Sequence, residues 1–78
     1  MKFKTYKKSI DIVIPFYNEF ENLKILIPKI IKSTSNYKQF KIRYIFINDG
    51  STDNGDKVVK KYLKLKNYYL LNNKKKSG

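Results

Sequence analysis

Residues 40–53 read FKIRYIFINDGSTD, and this stretch decides the fold. Phe40–Ile47 alternates at first and then becomes wholly apolar, which predicts a buried strand. NDGSTDNGD follows, dense in turn-forming residues. A tight hairpin would need a second alternating strand directly after Asn48-Asp49-Gly50, and STDNGD is not one. Beyond it, Val58, Val59, Tyr62, Leu63 and Leu65 recur at helical spacing. They predict a helix over roughly 55–66, so the strand leads through a polar turn into a helix.

The same arrangement stands upstream. Ile10–Phe16 (IDIVIPF) is rich in β-branched residues and nearly continuous in apolar character, as in a strand covered on both faces. Pro15 sits near its end, where a missing N–H is tolerated. Asn18 is a candidate N-cap, with Glu21 three residues on as in a capping box. Phe20, Leu23, Leu26, Ile27, Ile30 and Ile31 then form a helical stripe. Pro28 interrupts it at a cost of about 3 kcal/mol. The stripe continues beyond, so a kink near Lys24–Ile27 is expected, not an end. Residues 33–39 read as a loop, Tyr68–Leu71 as a short third strand and NNKKKSG as a closing loop. Residues 1–9 read as a basic arm and residues 10–78 as the domain.

The order is β-α-β-α-β. Such alternation implies parallel strands joined by right-handed crossovers, an α/β, Rossmann-like three-layer fragment. There are no internal repeats.

Composition narrows the chemistry. At 78 residues the chain holds at most one small domain. It has no cysteine and no histidine, which removes disulfides, thiolate nucleophiles and the commonest general base. Eighteen basic residues against six acidic ones give a net charge of +12. That balance suits anionic partners, although lysine spread along the whole chain is also what a solvated surface uses. No apolar run approaches the ~20 residues of a membrane span. The basic start is not followed by the apolar stretch of a secretory signal. The expected location is cytoplasmic, extending to the cytoplasmic face of a membrane.

In an open parallel sheet, ligands bind outside the carboxyl ends of the strands. Two polar clusters fall there: PFYNE (15–19) and NDGSTD (48–53). Neighbouring parallel strands would bring them together. Asp49 could accept from a base or ribose donor, and Gly50 lets a ligand approach the backbone closely. Ser51 and Thr52 could cap the next helix. Tyr17 offers a flat face for stacking, and Glu19 could reach ligand hydroxyls. Each has a plainer reading. Asp49 serves equally as a helix cap, Tyr17 as a rim aromatic, Glu19 as a first-turn acid and Pro15 as a strand terminator. Their clustering favours the ligand reading.

DIVIPFYNEFENL resembles the opening strand and helix of family 2 glycosyltransferases, with their hydrophobic-P-x-Y-N-E pattern. YIFINDGSTDNG resembles their second strand and D-D-G-S-x-D loop. The PxYNExENL opening is closest to the dolichyl- and polyprenyl-phosphate sugar synthases. The resemblance covers about residues 10–78 and implies a truncated GT-A fold that binds a nucleotide-diphosphate sugar. Pro15, Tyr17, Glu19, Ile47 and Asp49 match its nucleotide-contacting positions, with Gly50 and Ser51 shaping the loop.

Two departures stand out. Asn48 replaces the first aspartate of the second motif, and Lys75 stands where a glycine is common. The resemblance also implies Mg²⁺ or Mn²⁺, held by D-x-D carboxylates expected beyond residue 78, together with the catalytic base. No catalytic or metal-binding residue is therefore assigned within this chain. The partners implied are a UDP- or GDP-type sugar donor and a lipid-phosphate or hydroxyl acceptor, with membrane association through a later region and no nucleic acid. The chain alone is expected to lack transferase activity. The alternatives are a non-catalytic remnant and a small basic nucleic-acid-binding module.

Overall fold

The computed structural model describes residues 8–73. Three strands, β1 (Lys8–Phe16), β2 (Phe40–Asp49) and β3 (Tyr68–Asn73), alternate with two helices, α1 (Phe20–Thr34) and α2 (Gly55–Lys60). The strands are all parallel and lie in the order β1-β2-β3. The expected β-α-β-α-β order and parallel sheet are both found.

Two crossovers of one hand along a sheet in this order carry both helices to the same face. The core agrees. From that face the strands contribute Phe16, Tyr44 and Phe46, and the helices contribute Leu23, Ile27, Val58 and Val59. Phe46, Leu23, Ile27 and Val59 are fully buried. Each such side chain contributes about 1.5–3 kcal/mol on leaving water. Among the described residues, two of the three expected layers are thus present. The other sheet face carries Val13, Ile45, Ile47, Tyr69 and Leu71, of which Val13, Tyr69 and Leu71 are exposed. Burial of the strands on both faces, read from their apolar runs, is therefore not found among the described residues. No described helix packs on this second face.

α1 runs through Pro28 without a break, since Leu23 and Ile27 before it and Ile30 and Ile31 after it all pack on the core. Its far end is tied to β2, where the Thr34 hydroxyl hydrogen-bonds the Tyr44 hydroxyl. Tyr44 stacks on Tyr68 at 4.6 Å between ring centroids, and Tyr68 on Tyr62 at 6.1 Å.

Several boundaries differ from the expectation. α2 ends at Lys60, not near 66. Tyr62, Leu63 and Leu65 N–H groups bond three residues back, to Val59, Lys60 and Tyr62. A continued α-helix would set Lys57 against Lys61 and Lys60 against Lys64, like charges four residues apart that destabilise a helix. Within α2, Lys60 pairs with Asp56, four residues back, at 3.1 Å. β1 begins at Lys8, so Lys8 and Ser9 belong to the strand and not to the arm. β3 includes Asn72 and Asn73, which pair with Asn48 and Asp49 of β2. The rest of the arm, residues 1–7, and the Lys74–Lys76 run lie outside the described residues.

Candidate functional site

The strand register builds the site. Phe16 pairs with Asn48, so Tyr17 and Asp49 are the next residues at the same carboxyl edge of the sheet. Pro15 pairs with Ile47 one step below. Gly50 adopts φ 80°, a left-handed turn that glycine accepts without strain. Pro15 and Tyr17 are exposed, and Glu19, Ile47, Asp49, Gly50 and Ser51 are half-buried. All seven candidate residues lie on or beside this edge.

Asn18 does not cap α1. It adopts φ 51°, and Glu19 holds the N-cap position without a side-chain cap bond to a backbone N–H of the first turn. The left-handed turn aims Asn18 across the edge instead. Its Oδ1 accepts from the Thr52 backbone N–H at 2.8 Å, and its own N–H donates to Ser51 Oγ at 3.0 Å. Glu21 pairs with Lys24 at 3.5 Å and forms no capping box.

The cap of α1 comes from a distant residue. Asp53 Oδ2 accepts from the Phe20 N–H at 2.9 Å, while its Oδ1 accepts from the Gly55 N–H at 3.0 Å. One carboxylate thus serves the first turns of both helices. A hydrogen bond to a charged acceptor contributes roughly 1.5–3 kcal/mol. Ser51 and Thr52 are not caps of α2, because they face Asn18. The N-cap of α2 is Asn54, at φ 66°. Gly55 fits closely against its surroundings: an added Cβ would lie 3.2 Å from Asp53 Oδ1 and 3.3 Å from the Phe16 ring.

Asn48 is buried beneath the loop. Its Oδ1 accepts from the Ser51 N–H at 2.9 Å, and its Nδ2 donates to Asn72 Oδ1 at 3.1 Å. Two grooves adjoin the edge. One of about 460 Å³ runs along α1 and is lined by Pro15, Phe16, Glu19 and Lys29, among others. A smaller one of about 310 Å³ lies between Asn18, Glu19 and Asp53. Glu19 lines both, and its Oε2 accepts from Asn22 Nδ2 at 2.5 Å.

Local spacing carries no sign that Asn18, Thr52 and Asp53 link the two loops across this edge. The one sequence signal is Asp53 two residues before Gly55, the pattern of an Asx turn. The donor set does not suit a divalent metal. Among the described residues no group of three or more Asp or Glu side chains could hold one, and both Asp53 oxygens already accept backbone N–H groups. Of the aromatics, Phe16, Tyr44 and Phe46 are buried in the core, whereas Tyr17, Tyr37 and Tyr69 are exposed. No helix among the described residues is long and apolar enough to cross a membrane.

An open parallel α/β unit with two polar loops joined at its carboxyl edge defines a class of ligand-binding folds. The family model for Glycosyl transferase family 2 matches residues 11–78. The chain belongs to that family. It is also 32% identical over 69 residues to an undecaprenyl-phosphate 4-deoxy-4-formamido-L-arabinose transferase from Proteus mirabilis. That match covers 86% of this chain and 21% of the relative, so the chain spans about a fifth of that protein's length.

Proposed function

We propose that this chain is the nucleotide-sugar-binding part of a glycosyltransferase acting on a lipid-phosphate or hydroxyl acceptor. The observation that carries the reading is the pairing of Phe16 with Asn48, which sets the Tyr17 and Asp49 loops side by side. On this reading Asp49 accepts from the imide or amino N–H of a base, and Tyr17 offers the base an apolar face. Glu19 reaches ribose or sugar hydroxyls. Pro15 and Ile47 form the floor, and Gly50 and Ser51 shape the loop against the nucleotide. The lipid-phosphate acceptor draws support from the similarity to the Proteus mirabilis undecaprenyl-phosphate 4-deoxy-4-formamido-L-arabinose transferase.

Mg²⁺ or Mn²⁺ would neutralise the departing diphosphate. The described carboxylates do not suit it, so its ligands and the catalytic base belong, on this reading, to polypeptide outside these 78 residues. The chain alone then binds nucleotide weakly and transfers no sugar.

Titration of the 78-residue chain with UDP, GDP and ADP tests the reading. Saturable binding of one of them, lost in Asp49→Ala, is expected. Equal binding by the parent chain and Asp49→Ala would overturn the assignment. A radiolabelled transfer assay with several nucleotide sugars is expected to show no turnover.

A further inference from the structure

We infer that Asn18 and Asp53 are positioning residues that clamp the loop after β1 to the loop after β2, so that the crevice is formed before a nucleotide arrives. The inference rests on the nucleotide reading of the site and adds a role to two residues that reading does not use.

The bonds between the two loops are reciprocal. From the first loop, the Asn18 N–H donates to Ser51 Oγ and the Phe20 N–H donates to Asp53 Oδ2. From the second, the Thr52 N–H donates to Asn18 Oδ1. These contacts join residues 33 or 34 positions apart in sequence. They hold the segment directly after the crevice residues in both loops: Tyr17 directly precedes Asn18, and Asp49-Gly50 directly precedes Ser51-Thr52. A loop held by strand pairing before it and by these bonds after it loses little further freedom on binding, and less ordering cost means tighter binding. Asn18 suits this post for two reasons. Asparagine tolerates the left-handed backbone better than most residues, and its side chain supplies the acceptor that Thr52 needs. Asp53 suits its post because two oxygens can serve two backbone donors at once.

The test uses the full 78-residue chain with Asn18→Gly, Asn18→Asp and Asp53→Asn. Glycine keeps the left-handed turn and removes the acceptor, whereas aspartate keeps both. Amide hydrogen exchange of the Thr52 N–H is the first readout, and titration with UDP and GDP is the second. Losing one such bond is expected to speed Thr52 exchange in Asn18→Gly by about tenfold and to weaken nucleotide binding by roughly three- to tenfold. Asn18→Asp should restore both. Asp53→Asn should speed exchange at Phe20 or Gly55, where one acceptor oxygen is replaced.

A merely structural role would lower the unfolding midpoint yet leave the affinity of folded molecules unchanged, and that result would overturn the inference. Unchanged Thr52 exchange in Asn18→Gly would overturn it as well. No binding by the parent chain strikes instead at the nucleotide reading, and the exchange measurements then still decide whether the loops are coupled.

Discussion

The side chain of Asn48 donates to the side chain of Asn72 at 3.1 Å while accepting from the Ser51 N–H at 2.9 Å. A buried amide at the end of β2 thus ties the site loop to β3. Family 2 members commonly carry an aspartate at this position, which could not donate to Asn72 Oδ1 when ionised. Asn48→Leu has similar size but neither hydrogen-bonding group. It should lower stability by about 1–3 kcal/mol, the net contribution of the two hydrogen bonds lost, since water can reach the exposed Asn72 and the half-buried Ser51. Asn48→Asp should cost less, because the Asn72 amide can turn and donate. Urea unfolding midpoints of the two variants check the order.

Phe46 is fully buried at the centre of the sheet's covered face. Truncating such a residue to alanine costs about 3–5 kcal/mol. A domain this small has little stability to spare. Phe46→Ala should therefore be largely unfolded at 25 °C, with loss of amide dispersion in its NMR spectrum.

Tyr68 stacks between Tyr44 and Tyr62. Burial raises its pKa above the ordinary 10.0, with nearby Tyr44 and Tyr62 adding to the shift. The folded state then holds this proton more tightly than the unfolded state. The associated stability is fully present below about pH 10 and is lost as pH rises through the folded value. Tyr68→Phe should show a shallower fall in melting temperature than the parent chain as pH rises above about 10. A calorimetric series across that window measures it.

Asp11 and Arg43 meet through two hydrogen bonds, at 2.6 and 2.7 Å, on the open face of the sheet. The Arg43 hydrogen bond holds the Asp11 carboxyl below its ordinary 3.8, against a smaller opposing effect of desolvation. Its stabilising contribution is present above that ordinary value and is lost as pH falls through the lower folded one. Arg43→Gln should move the Asp11 titration midpoint upward. A carboxyl-carbon NMR titration reads the change directly, and an unmoved midpoint would contradict the pairing.

Val13 and Leu71 are 53% and 55% exposed on the face opposite the helices. Apolar sheet surface of this kind promotes self-association. Val13→Lys with Leu71→Lys should reduce concentration-dependent light scattering while leaving the melting temperature within a few degrees of the parent, as expected for exposed positions.

The order of elements is legible in the sequence because apolar periodicity is local: IDIVIPF and FKIRYIFI carry the strand signal, and the Phe20–Ile31 stripe carries the helix signal through Pro28. The meeting of PFYNE with NDGSTD is legible too, since parallel neighbours share a carboxyl edge. Tertiary structure alone decided that Asn18 faces Thr52 and that Asp53 caps a helix 33 residues upstream. It likewise left the second face of the sheet uncovered among the described residues. These depend on which groups come together across the edge after the strands pair, and no local spacing encodes a hydrogen bond between residues so far apart in the chain.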